Sequence, residues 1–143
     1  PALFDPLYTA HQKRLQQPEL IQGLAYYVPV EAQPLPASSD RHDLLEHYLK
    51  PFLGLSNAGQ SSGSSRVLLV QGESGSGKSL ALHNLEKVLW ELYIVDPVNN
   101  PVPVLIELKS IEPSIPKEFV KYHLQNVLGL TASDIQLLQT KYK

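Results

Sequence analysis

Eight consecutive residues carry the clearest chemistry in the chain: Gly72, Glu73, Ser74, Gly75, Ser76, Gly77, Lys78 and Ser79. Their order, G-x-x-x-x-G-K-S, is that of a phosphate-binding loop, the Walker A pattern. The glycines let backbone N–H groups turn inward on an anion, because side chains there would block its approach and some positions need φ > 0. A helix directly behind the loop adds unpaired N–H groups and the positive end of its dipole. Lys78 is expected to reach β- and γ-phosphate oxygens as a point charge, and the Ser79 hydroxyl to ligate Mg²⁺. Glu73, Ser74 and Ser76 are expected to contribute through backbone amides. Such a loop binds a triphosphate but does not by itself hydrolyse it.

Other residue types that do chemistry are more scattered. His42, Glu46 and His47 invite a metal reading, but the two histidines lie five apart. On a helix that is about 140° round the axis, unlike the two-turn zinc motif, so they read as a solvated polar face. His11 reads as a solvated helix residue. Tyr26 and Tyr27 are expected to pack an arm against a domain, with stacking on a base as the alternative. Asp96, after Leu92-Tyr93-Ile94-Val95, and Glu107, after Leu105-Ile106, each end an apolar run in a carboxylate, the form of a Walker B strand. Asp96 reads as a helix end or loop cap, and Glu107 as a strand-end carboxylate facing solvent.

The elements that must position the loop are legible around it. Arg66 to Gln71 is a short apolar run fit for a buried strand. Residues 80–92 repeat Ala81, Leu85, Val88, Leu89 and Leu92 at helical spacing, so strand, loop and helix come in the order the motif requires. Upstream, residues 1–53 read as an extension. A helix capped by Asp5, with Pro6 first, ends at Pro18. Leu24 to Val30 reads as a strand or extended strip, confined to an edge by Pro29, and residues 31–38 as extended chain. Asp40 is expected to cap a helix from Arg41 to Leu49, with Leu44, Leu45, Tyr48 and Leu49 on one side, ended or kinked at Pro51. Residues 54–65, rich in Gly and Ser, read as a flexible linker holding the main boundary. Within 66–143, Asp96 to Pro101 is a loop and Val102 to Leu108 a second buried strand. A helix capped by Ser114 or Ile115, with Pro116 first, presents Phe119, Val120, Tyr122, Leu124, Val127 and Leu128 and stops at Gly129. A last helix starts near Thr131 or Ser133. Strand and helix alternate, the mark of an α/β fold.

Composition narrows the function. With 12 basic and 14 acidic residues the net charge is −2, and residues 1–65 (4 basic, 6 acidic) and 66–143 (8 and 8) are both unpolarised. That argues against nucleic acid as a partner. No apolar run reaches spanning length, which argues against a membrane. The absence of cysteine excludes thiolate metal sites and disulfides and fits a reducing, cytoplasmic interior. The chain starts at Pro1 and stops at Lys143 within what reads as an element, so it is expected to be part of something longer.

With the loop, the "PVPVLIELKS" strand and the "GLTASDIQLL" helix in hand, residues 66–143 resemble the N-terminal part of a NACHT-type domain, in the STAND class of P-loop ATPases. "LAYYVPVE" at 24–31 and residues 40–53 are similar to the strip and helix found upstream of such domains in large repeat-containing proteins. The resemblance implies a P-loop NTPase parallel sheet with flanking helices, in the order 5-1-4-3-2 and incomplete in this chain. The acidic Walker B strand is then expected beyond Lys143, with residues 66–143 alone neither stable nor catalytically complete. It further implies a switch binding ATP (GTP less favoured) and Mg²⁺, with repeat and effector domains elsewhere and possible self-association. A small-molecule or nucleotide kinase is the enzyme alternative, although Arg14, Arg41 and Arg66 form no arginine-rich lid. A scaffold that keeps a nucleotide without hydrolysing it is the binding alternative.

Overall fold

The structure is a computed structural model and describes residues 5–34, 40–55, 67–108 and 118–141. The expected helix start at Ser114–Pro116, most of the 54–65 linker, Arg66 and part of the 31–38 strip lie outside the described residues. The chain divides into two compact units, Pro18–Val88 and Pro1–Gln17 with Leu89–Lys143. Among the described residues no helix is long and apolar enough to cross a membrane.

The unit that holds the phosphate loop begins with α2 (Pro18–Ala25). Pro18 therefore opens a helix rather than only closing the one before it. Its fixed φ and missing N–H cost nothing at a first helical position. Leu24 and Ala25, expected in the extended strip, complete this helix. The chain then runs extended into β1 (Glu31–Ala32), which pairs antiparallel with β2 (His42–Asp43), Glu31 opposite Asp43 and Ala32 opposite His42. Asp43, not Asp40, caps the next helix: its Oδ1 accepts from the Glu46 N–H at 2.6 Å. That helix opens as a π-helical stretch, Leu44–Leu49, and continues as α3, Lys50–Phe52. Pro51 does not stop the run, which goes on to Phe52; it sits where the π-helical stretch passes into α3 and lacks the N–H that would continue the ladder. Leu44, Leu45 and Leu49 turn inward. Gly54 ends the run at φ +70, with Gly54 N–H on Pro51 O and Leu55 N–H on Lys50 O, the paired bonds of a Schellman stop. Asp43→Ala is expected to lower this unit's stability by about 1 kcal/mol, the usual worth of a side-chain N-cap. Thermal melts of the two proteins measure it.

The other unit contains α1 (Asp5–Leu15), the end of α4 (Lys78–Val95), α5 (Phe119–Tyr122), a π-helical turn (His123–Val127) and α6 (Ala132–Lys141). Its core gathers Leu7, Trp90, Tyr93, Leu124, Leu130 and Ile135. His11 is buried here, at 2% exposure, against the expectation of a solvated residue. It lies one helical turn beyond Leu7 on the same face, and its ring stacks on Trp90 with centroids 5.8 Å apart. Tyr8 meets the same indole edge-on at 5.2 Å. The apolar face expected on the fifth helix is only partly turned in: Leu124 is buried and Leu128 packs against the core as expected, but Phe119, Val120, Tyr122 and Val127 are exposed and His123 is buried. A π turn carries an extra residue, which rotates the face the helix presents. Gly129 turns the chain at φ +70 as expected of a helix stop. Thr131 and Asp134 then close α6 reciprocally: the Asp134 carboxylate accepts from Thr131 N–H (2.9 Å) and Oγ1 (2.6 Å), and Asp134 N–H donates to Thr131 Oγ1 at 3.2 Å.

Burial first, and then the nearby Arg14 guanidinium, lower the His123 pKa below its ordinary 6.5. The unfolded chain therefore takes up a proton near 6.5 that the folded unit refuses. Stability is complete above that pH and declines as pH falls below it. Melts at pH 8 and pH 5.5 are expected to show this decline in the wild type and a smaller one in His123→Leu.

The parallel α/β sheet expected from the alternation of apolar runs is not what forms. Helix makes up 59% of the described residues, and the sheet is two short antiparallel strands. The runs expected as buried strands, from Val67 and from Val102, belong to no ladder among the described residues, and Val67, Leu69 and Leu108 are exposed. Apolar, β-branched sequence makes a strand possible, but only a neighbouring chain at ladder distance makes one.

Candidate functional site

The eight loop residues stay together at the start of α4. Residues 67–73 lead in without helix or strand, and Glu73 to Ser76 form a turn closed by Ser76 N–H on Glu73 O at 3.3 Å. Gly75 takes φ +78 at the third position of that turn, a conformation in which a side chain is strained. Gly77 comes next but one at φ +86, and its carbonyl accepts the Ala81 N–H at 3.0 Å. Gly77 is thus the last residue before the helix, and α4 runs 18 residues from Lys78. The N–H groups of the first turn, Lys78 and Ser79 among them, have no acceptor within the helix.

Lys78 folds back over the loop. Its Nζ donates to Gly72 O at 2.7 Å, to Ser76 Oγ at 2.8 Å and to Glu73 O. All three ammonium hydrogens have partners, so the charge is held at one point above the loop instead of swinging on its four-carbon stem. Gly72 leaves room for this: a Cβ there would stand 3.1 Å from Ser76 Oγ and 3.4 Å from Lys78 Nζ. The Ser79 hydroxyl lies on the first helical turn.

A cleft of about 960 Å³ opens beside the loop. Gly72, Glu73, Ser76 and Lys78 line one side, and Val30–Pro34, Arg41 and Tyr48 line others. Two cations, Lys78 and Arg41, and two carboxylates, Glu31 and Glu73, border it. The strip 30–34 and Arg41 belong to the site's surroundings in a way sequence reading missed. No local spacing signals a contact between segments some forty residues apart in the chain.

The remaining candidates are engaged elsewhere. Asp96 closes the turn after α4, accepting from Asn99 Nδ2 (2.7 Å) and from the Asn99 and Val98 N–H groups (3.2 Å each). Hydrogen bonds from the Asn99 side chain, then its backbone, hold the carboxyl below the usual range. His42 and His47 stack on each other with centroids 4.0 Å apart, because His42 sits on β2 rather than on the helix. Among the described residues no three His, Cys, Asp or Glu side chains group as metal ligands. Tyr26 is largely exposed, and burial, then the Asp43 carboxylate, raise the Tyr27 phenol above its ordinary pKa.

The residues present fit a phosphate group. Two glycines hold conformations a side chain would strain, a third makes space at the ammonium, and the first-turn N–H groups of α4 have no acceptor within the helix. Ser79 fits a hard cation as a single oxygen ligand, leaving its other positions to phosphate oxygens and water. No family model, no curated protein and no solved structure matches this chain.

Proposed function

We propose that Gly72–Ser79 binds the phosphates of a nucleoside triphosphate, ATP in preference to GTP, together with Mg²⁺. The observation that carries this reading is the Lys78 ammonium gathered by Gly72, Glu73 and Ser76 at the mouth of a glycine loop that opens an 18-residue helix. Lys78 holds charge where the β- and γ-oxygens would lie, and the loop and first-turn N–H groups supply neutral donors around it. Ser79 holds the cation, which when bound neutralises the phosphate charge. The helix dipole adds to the same field. Binding is the assigned activity.

The resemblance of the loop and of 102–108 to NACHT-type domains supports a signalling switch as the setting. In such a switch the γ-phosphate is the differential contact that shifts a conformational equilibrium. The parallel sheet which that resemblance implied forms no part of this reading. Calorimetric titration of the chain with ATP, GTP, ADP and AMP, with and without Mg²⁺, tests it. ATP with Mg²⁺ is expected to bind most tightly, ADP less and AMP not measurably. Equal binding of AMP and ATP would place recognition away from the loop and defeat the proposal.

A further inference from the structure

Val30 is fixed at both of its ends. Its carbonyl accepts from the Leu44 N–H at 2.6 Å. Leu44 begins the π-helical stretch that Asp43 caps, and the residues flanking this bond, Glu31–Ala32 and His42–Asp43, are the paired strands. The Val30 side chain occupies the space a side chain on Gly77 would need: a Cβ built on Gly77 would stand 2.8 Å from Val30 Cγ2. Among the described residues no other atom comes within 4 Å of that position, and nothing comes so close to the corresponding point on Gly75. The hairpin therefore meets Gly77 through one methyl group, at the glycine whose conformation directs the first turn of α4.

We infer that Val30 is a positioning residue for the phosphate loop, and that through it the β1–β2 hairpin is the element that responds when phosphate binds there. This rests on the loop being a phosphate site. A glycine has the widest range of backbone conformations of any residue, so a loop with three of them spends much of its time in shapes that scatter its N–H groups. A wall against Gly77 removes part of that range before the anion arrives, and ordering done beforehand adds to affinity. Coupling of this kind is reciprocal. If the seated hairpin tightens phosphate binding, bound phosphate tightens the seating of the hairpin by the same factor. The sensitive point is the Leu44 N–H, which stays bonded only while Val30 is in place.

The test uses the whole chain, with ATP and Mg²⁺ as the probe. Affinities are measured for wild type, Val30→Ala and Val30→Thr, and amide exchange at Leu44 is followed in the wild type with and without saturating ATP. Val30→Ala is expected to weaken binding roughly 2- to 30-fold, the range usual for residues that couple to a site without touching the ligand. Val30→Thr keeps the branched shape and is expected to stay within about twofold of wild type, since a close-packed contact responds to shape. Exchange at Leu44 is expected to slow when ATP is added. Equal affinities for wild type and Val30→Ala, or failure of threonine to restore the loss, would overturn the inference while leaving the phosphate site standing. If Val30→Ala does not fold, the exchange measurement decides, and an unchanged Leu44 rate under saturating ATP overturns it. A wild type that binds no ATP removes both readings together.

Discussion

Lys78→Ala is expected to weaken ATP binding by roughly 10- to 100-fold. A charge-assisted hydrogen bond is worth about 1.5–3 kcal/mol, and each 1.4 kcal/mol is a factor of about ten in affinity. The lysine is free to turn its hydrogens from Gly72 O, Glu73 O and Ser76 Oγ toward incoming oxygens because its donors rotate about a single centre. Lys78→Arg is not expected to rescue it. A planar guanidinium presents its donors in a fixed fork and does not match three acceptors arranged around one point. Titration calorimetry of both variants against wild type measures this, and an alanine variant that binds ATP as wild type does would dismiss the phosphate role.

Gly77→Ala is expected to damage the loop more than Gly75→Ala. Both glycines hold positive φ, at +86 and +78. A side chain in that region costs roughly 1–3 kcal/mol in either place. Gly75 has open space around the missing Cβ, so its substitution incurs the backbone strain alone. Gly77 adds a collision, since the new Cβ would stand 2.8 Å from Val30 Cγ2 and the valine side chain or its backbone must give way. Combining Gly77→Ala with Val30→Ala is therefore expected to recover part of the lost melting temperature, while the strain in φ remains. Residues in contact depart from additivity, so the double variant isolates the contact. Two losses that simply add would mean the methyl group does not press on the loop.

Much of the loop is legible in the amino-acid order because its determinants are local. A glycine spacing, a lysine and a helical repeat behind them fall within about twenty residues, and α4 forms where that repeat begins. Gly129 and Thr131 are legible for the same reason, as stop and start signals read within one turn. Pro18 shows where local reading fails: proline closes one helix and opens another by the same chemistry, and only the residues after it decide. Asp43 is within reach of the sequence, since a glutamate stands three positions on, as a capping pair requires. Asp40 has an aspartate there instead, one carbon shorter. The strands are not legible. Val67–Val70 and Val102–Leu108 have the composition of buried strands, yet composition does not say whether a partner strand lies alongside. For His11 the spacing from Leu7 decides burial, and polarity alone points the wrong way. The Val30–Gly77 contact leaves no mark in the sequence.

The burial of Trp90 has a spectroscopic consequence. It is the chain's one tryptophan, and Tyr8, His11 and Tyr93 surround its indole at 5.2, 5.8 and 5.7 Å. Its emission is thus a private reporter for the unit of α1, α5 and α6, blue-shifted while the core is dry and moving to longer wavelength as water enters. A nearby tyrosine passes excitation to it, and Tyr8, far from Trp90 along the chain, is brought beside it only by folding, so the share of Tyr8 excitation that leaves as indole emission falls when that core opens. Read beside amide exchange at Gly72–Ser79, this signal tells apart a chain whose two units lose structure together from one in which the phosphate loop loosens first.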